Sequence, residues 1–286
     1  MKLFITGANG SIGSELCKLS HSKNIYNKVF IRRNSQCNHN YYQEKVVLND
    51  ISDVNENEFK NIDVLVHLAA VGVDQSKYYE PKDVFNFNVF KSTELILKAI
   101  NSGIKKFIII GSCTEYGKTA DMLKENISVM DTLLPTSIYS ASKAAFSSSC
   151  IGLAYSYGVS IYILRPFNVY GETEASSRLY TSLINKAECG EDFHITQGDQ
   201  IKDFSSYSET AQRIFDEILI INESKDRTIK IKNLGSGNQI SVYEFAKKVW
   251  LEKSAKGKII KGALPYRKNE PMKCIPDLKL IFEDIV

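Results

Sequence analysis

The first thirteen residues constrain this chain more than any other stretch. Lys2–Thr6 is a short apolar run that reads as a buried strand, and it passes directly into Thr6-Gly-Ala-Asn-Gly10-Ser-Ile-Gly13. An amphipathic segment follows, with Ile12, Leu16 and Leu19 on one face. Strand, glycine turn and helix in succession is the context that makes a glycine fingerprint meaningful. Gly7 allows the tight turn, Gly10 lets backbone approach a pyrophosphate, and Gly13 lets the helix pack on the strand. With Asn9, Ser11 and Ile12 between them, they form the expected cofactor loop. The anion would sit at the helix N-terminus, where free N–H groups and the helix dipole favour negative charge.

The alternation continues down the chain. Residues 28–31 read as a second strand ending in Arg32-Arg33, 45–48 as a third leading to Asp50 and Ile51, and 63–66 as a fourth followed by His67-Leu68-Ala69-Ala70. Small residues at Ala69 and Ala70 would let a cofactor lie close to the strand end, whereas His67 reads as a packed strand-end side chain. A long helix is expected over 81–102, its apolar face marked by Val89, Thr93, Ile96 and Ile100, with Gly103 ending it. Lys106–Ile110 is the fifth strand and opens into Gly111-Ser112-Cys113-Thr114-Glu115. Residues 118–134 show no clean period and read as a loop bordering the substrate. Residues 159–164 form a sixth strand ending in Arg165-Pro-Phe-Asn168.

Strands alternating with helices argue an α/β fold, a doubly wound parallel sheet of Rossmann type. Residues 1–170 are expected to be the dinucleotide-binding domain. Residues 171–286 are expected to be mainly a smaller substrate-binding lobe, with segments returning to the first domain. Within that lobe, Ser241-Val-Tyr-Glu244 reads as a capping box for a helix with Val242, Phe245, Val249 and Trp250 inward. Ligands of such sheets sit at the carboxyl ends of the strands, where Gly7, Arg32, Asp50, His67 and Ser112 all fall.

A strand-two carboxylate normally holds the ribose 2′-hydroxyl of NAD. Here two guanidinium groups stand instead, which suit a 2′-phosphate. The expected cofactor is therefore NADP, with NAD possible.

Composition sets outer bounds. Net charge is +3 with both signs mixed throughout, which gives no basis for a nucleic-acid or membrane-surface partner. The six cysteines are spread, none in a CxxC pair and none with a His at ligand spacing, so free thiols and no metal site are expected. No apolar run approaches the roughly 20 residues that span a bilayer, and the chain enters its first strand at once. A cytoplasmic protein is the expectation.

Tyr139-Ser-Ala-Ser-Lys143 places a phenol and an ammonium four residues apart, on one helix face. There the ammonium can lower the phenol pKa and make it a proton donor and acceptor. The spacing alone is common, and its neighbours give it meaning.

TGANGSIG, HLAA, the Asn88-Val pair, GSCTEYG, YSASK, RPFNVYG, DQIKDF and NLGSGNQIS follow one another over nearly the whole chain. In that order and spacing they resemble the extended short-chain dehydrogenase/reductase family of nucleotide-sugar epimerases, dehydratases and 4-ketoreductases. The resemblance implies a Ser112–Tyr139–Lys143 triad: Ser112 bonds the substrate oxygen, Tyr139 passes the proton, and Lys143 binds the nicotinamide ribose. It implies cofactor contacts from Asp50, Ile51, Leu68 and Asn88. It also implies sugar-nucleotide contacts from Thr114, Asn168, Arg178, Lys202 and Arg267, and a homodimer through the helices over 81–102 and 137–157.

Departures from the family pattern narrow the chemistry. The 4,6-dehydratases carry an Asp–Glu pair where this chain has Cys113 and Thr114, with Glu115 one place late. The combined 3,5-epimerase/4-reductases use a Cys where Thr114 stands and a His that is missing near Thr173. The expected activity is NADPH-dependent reduction of a nucleotide-linked 4-keto-6-deoxyhexose for a surface polysaccharide. The alternatives are an NAD-dependent 4-epimerase and a non-enzymatic NADP-binding regulator.

Overall fold

The computed structural model describes residues 1–286 except 36, 75–76, 120–125 and 267–269. Five strands come first: β1 (Lys2–Thr6), β2 (Tyr26–Arg32), β3 (Glu44–Leu48), β4 (Val64–His67) and β5 (Lys106–Ile110). β6 (Ser160–Pro166) joins them, and all six pair in parallel. β4 and β6 are buried along their whole length, as strands covered on both faces must be.

Short strands β7 (Val169–Tyr170), β8 (Phe193–His194), β9 (Ile201–Asp203) and β10 (Ser205–Ser206) lie outside this sheet. β11 (Thr228–Leu234) returns to it, parallel to β6. β12 (Gln239–Ser241), β13 (Ile259–Ile260) and β14 (Lys273–Cys274) again lie outside it, and β15 (Phe282–Ile285) adds an antiparallel edge to β11. The sheet order is β15-β11-β6-β5-β4-β1-β2-β3. The reversal between outward and inward winding falls at β1 and β4, the switch point where such sheets bind ligands. The expected α/β architecture is the observed one.

Residues alternate between two apolar layers, as the two-residue period of a strand requires. Leu3 and Ile5 face the layer that also holds Val64, Val66, Ile108, Leu16 of α1 (Ser11–Ser22) and Ile214 and Ile218 further along the chain. Phe4 faces the other layer, with Leu65, Phe107, Ile161 and Ile163.

The segment over 81–102 is helical but not uniform. α2 (Pro81–Phe85) runs through a π-helical turn at Asn86–Lys91 into α3 (Ser92–Asn101). The wider turn shifts the inward face. Val84, Asn88, Ser92, Leu95, Ile96, Ala99 and Ile100 are buried, whereas Val89 and Thr93, expected on the apolar face, are only half-buried. Gly103 follows at φ +99°, a conformation that favours glycine.

α4 (Ile138–Tyr157) starts from a reciprocal Ser137–Ser140 capping box and stops at Gly158, φ +58°. α5 (Leu179–Cys189) and α6 (Tyr207–Glu223) had no counterpart in the sequence expectations, and β11 was not located there beyond the general expectation of segments returning to the first domain. α7 (Val242–Glu252) begins at the expected Ser241–Glu244 box and buries Val242, Phe245, Val249 and Trp250. With Leu183, Ile184 and Phe193 these side chains make the separate core of the outer lobe.

Candidate active site

The glycine turn is built by close contacts. Gly7 sits at φ +72°, and a Cβ there would lie 2.7 Å from the Ala69 amide nitrogen at the end of β4. A Cβ on Gly13 would lie 2.1 Å from the Gly7 carbonyl, so the first turn of α1 packs directly on the loop. Asn9 and Gly10 are exposed. No side chain among the described residues caps α1, and its first turn holds no acidic residue. Free amides without a competing carboxylate fit a pyrophosphate. Thr173 reaches this end from the outer lobe, donating to Ser11 Oγ at 2.6 Å.

Ser112 and Tyr139 meet at the end of β5. Ser112 caps a short 3₁₀ turn over Cys113–Glu115, its Oγ 2.8 Å from Thr114 Oγ1. Its hydroxyl also bonds the Tyr139 phenol. Lys143, one turn along α4, is 3% exposed and donates to the Ile110 carbonyl at 2.5 Å.

The phenol does not follow the sequence expectation. Burial pushes the Tyr139 pKa up, Glu115 and Cys113 add to the shift, and the Ser112 hydrogen bond and Arg178 pull it partly back. Burial in turn pushes the Lys143 ammonium down. Burial is the largest influence on the phenol, which therefore holds its proton.

Glu115 points away from this surface. It is fully buried, and its Oε2 accepts from Arg165 Nε at 2.9 Å and from Ser147 Oγ at 3.0 Å. Its Oε1 accepts from the Ser112 amide at 2.8 Å. Arg165 Nη1 donates to Tyr116 Oη at 2.9 Å, and Tyr116 donates to Asn233 Oδ1 at 2.8 Å. A Cβ on Gly111 would lie 2.5 Å from Glu115 Oε1, so only glycine fits above this pair. Sequence reasoning missed the supporting network, although each member lies beside a motif it had named.

A cavity of about 710 Å³ is lined by Asn168, Glu174, Arg178, Lys202 and the aromatic rings of Tyr180 and Phe204. Asn168 has φ +29° and donates to the Asp203 carbonyl at 3.0 Å. Asp203 is fully buried and accepts from the Ser236 and Gly237 amides at 2.6 and 2.8 Å, which ties the 233–237 turn to β9. Lys202 Nζ lies 3.3 Å from Glu270, and Arg178 Nε lies 3.9 Å from Glu174. Burial pushes the Glu174 carboxyl up to about 7, against the pull of Arg178. Gln200 Oε1, also in this wall, is buried without a hydrogen-bond partner.

The other expected residues divide. Arg32 and Arg33 are exposed at the end of β2, in no ion pair among the described residues. Leu68, Ala69 and Ala70 are half-buried beside Gly7, and Leu68 N donates to the Thr6 carbonyl at 3.2 Å. Asp50 caps the turn after β3 and pairs with Lys91 at 2.5 Å. Ile51 is wholly buried in the core, so any cofactor contact there comes from backbone. Asn88 has its side-chain amide committed inward: Val71 N donates to it at 2.8 Å, and it donates to Val71 O and Ser142 Oγ at 2.9 Å each. It fastens the strand-four loop to α4. His67 is a packed residue, as expected, held by Thr6 at 2.9 Å and Ser92 at 3.1 Å. Arg267 lies outside the described residues.

No group of three or more His, Cys, Asp or Glu among the described residues could hold a metal ion. No helix among them is long and apolar enough to cross a membrane.

Comparison with known proteins bears on the same region. The family model for NAD dependent epimerases/dehydratases matches residues 3–216. An uncharacterized UDP-glucose epimerase of Bacillus subtilis is 26% identical over 247 residues, covering 75% of this chain and 71% of that protein. An uncharacterized Methanocaldococcus jannaschii protein is 24% identical over 296 residues, 96% of this chain and 87% of the relative. Among solved structures, a UDP-N-acetylglucosamine 4-epimerase from Methanobrevibacter ruminantium superposes with a TM-score of 0.83 at 22% identity, over 97% of this chain and 89% of that one.

Proposed function

Because this chain belongs to the NAD dependent epimerase/dehydratase family, we propose that it is a nucleotide-sugar oxidoreductase working at a ring carbon through Ser112, Tyr139 and Lys143. Its narrower activity in this reading is reduction of a nucleotide-linked 4-keto-6-deoxyhexose at C4. NADPH held at the glycine turn would supply the hydride. Tyr139, kept protonated by burial, gives its proton to the oxygen that becomes a hydroxyl, while the Ser112 hydroxyl stabilises charge on that oxygen. Lys143, one turn along α4 from Tyr139, would orient the cofactor ribose. Thr114 and Asn168 orient the sugar, and Arg178 and Lys202 meet the diphosphate. The outer lobe, mainly residues 171–286, supplies the substrate-binding walls.

The observation that carries this reading is Arg32-Arg33, exposed at the end of β2 where NAD-binding members carry a carboxylate. Elimination of water is disfavoured because Cys113 and Thr114 offer no carboxylate and Glu115 is tied to Arg165 and Ser147. A second reading, NAD-dependent 4-epimerisation, is favoured by the name of the Bacillus subtilis relative. An epimerase regenerates its NAD within each turnover, whereas a reductase consumes NADPH stoichiometrically. Purified protein assayed with and without added NADPH on 4-keto and 4-hydroxy sugar nucleotides separates the two.

A further inference from the structure

Two thiols meet beside Ser112. Cys113 follows it at the end of β5, and Cys274 ends β14 in register with Lys202 of β9. Both are half-buried, and both pack on the small cluster of Tyr116, Ile127 and Phe167. Their side chains are in hydrogen-bond contact, and the Asn168 backbone bonds the Cys113 sulfur. Backbone pairing holds the meeting in place. Ile127 N donates to Ile275 O at 2.7 Å, and Asp277 N donates to Ile127 O at 2.8 Å. Tyr116 directly follows the Ser112 turn, and it packs on Ile127.

We propose that Cys113 and Cys274 form a reversible covalent modification site, a dithiol that a low-molecular-weight disulfide converts into a Cys113–Cys274 bond. The hydrogen bond to Cys274 and burial push the Cys113 thiol well above its ordinary value. Cys113 therefore keeps its proton, and the first attack is assigned to Cys274. The Cys274 thiolate attacks one sulfur of the reagent, expels a thiolate and forms a mixed disulfide. Cys113 then gives up its proton, attacks the Cys274 sulfur and expels the second thiolate. One reagent disulfide is consumed and two reagent thiols are released. Two protein S–H bonds are replaced by one S–S bond, and excess reduced thiol reverses the exchange.

A bond of about 2.05 Å requires the two sulfurs to close from hydrogen-bond contact. Closure draws Cys113 toward β14, and with it the adjacent Ser112 hydroxyl that faces Tyr139. Loss of activity on closure rests on the function proposed above; formation of the bond does not. The other cysteines are worse placed. Cys17 is fully buried, Cys37 Sγ donates to the His39 carbonyl, Cys150 is fully buried and Cys189 is exposed on α5.

The test incubates the reduced full-length chain with glutathione disulfide over a range of disulfide-to-thiol ratios, blocks free thiols, and maps linked peptides by mass spectrometry. A peptide joining Cys113 to Cys274, reversed by dithiothreitol and missing from both Cys274→Ser and Cys274→Ala, is the expected result. Turnover should fall about 100-fold on closure, the cost of a misplacement near 1 Å, and the Cys274 variants should resist that fall. Should the chain prove inactive on every sugar nucleotide yet yield the linked peptide, the site stands and only the proposed activity fails. Glutathione adducts alone, or a Cys17–Cys37 link in its place, overturns the proposal.

Discussion

Glu115 and Arg165 meet at 2.9 Å beneath Ser112, with side chains 0% and 3% exposed. The pair fixes the carbonyl end of β5 to β6 and hands the Ser112 amide an acceptor. Removing one member of such a buried pair strands a charge and typically costs about 3–5 kcal/mol. Glu115→Ala should destabilise the chain by that order in denaturant unfolding. The double replacement Glu115→Leu with Arg165→Met should recover much of it. A Glu115→Ala penalty below about 1 kcal/mol, the range of exposed pairs, would show the pair to be screened.

Tyr139→Phe removes the proposed donor and little else, since the ring packs at the same place. Turnover should drop by about 10²–10⁴-fold, the usual worth of a positioned acid, with cofactor affinity unchanged. Ser112→Ala should cost about 10²–10³-fold through the lost hydrogen bond to the oxygen. Calorimetry with cofactor separates these losses from misfolding. Undiminished turnover in Tyr139→Phe counts against the mechanism.

His67 gives the fold a pH signature. Burial pushes its pKa down to about 3 from 6.5, with Lys143 adding to the shift. Between those values the unfolded chain binds a proton that the folded one refuses, so stability rises with pH through that window and is complete above about 6.5. His67→Gln should flatten the slope of unfolding free energy between pH 4 and 6.5 by up to about 1.4 kcal/mol per unit. An unchanged slope would mean that other groups carry the acid sensitivity.

Some of this was legible in the sequence because its chemistry is local. The Gly7–Gly13 turn, the Ser241–Glu244 box and the strand ends holding Arg32 and Ser112 each depend on neighbours within a few residues. Other parts depend on partners far along the chain. Glu115 finds its role only when β6 delivers Arg165 and α4 delivers Ser147. Asn88 was assigned to a cofactor because its spacing suits the family. Its bonds to Val71 and Ser142, set by the π turn before α3, were not legible from spacing. β11 carries Lys230 and Lys232 within a buried strand, charges that argue against burial until Glu217 of α6 is seen at 3.7 and 2.6 Å. The phenol pKa was misjudged for a related reason: charge spacing is visible in a sequence, and desolvation is not.

Glu174 should set the pH dependence of substrate affinity. Its carboxyl, raised to about 7, shares the cavity wall with Arg178 and Lys202. Ionisation above that value places a negative charge near the proposed diphosphate site. Nucleotide-sugar affinity should weaken as pH rises from 6 to 8, and Glu174→Gln should remove that dependence. Isothermal titration across the range checks it. A wild-type affinity flat with pH places the diphosphate elsewhere.

The central claim is the direction of hydride transfer and the cofactor that supplies it. It is tested most directly by following NADPH absorbance with a nucleotide-linked 4-keto-6-deoxyhexose, for the wild type and for Arg32→Ala with Arg33→Ala. The account predicts stoichiometric NADPH oxidation, a preference over NADH, and loss of that preference in the double variant. Protein that interconverts 4-hydroxy epimers with no added cofactor and oxidises no NADPH would contradict it.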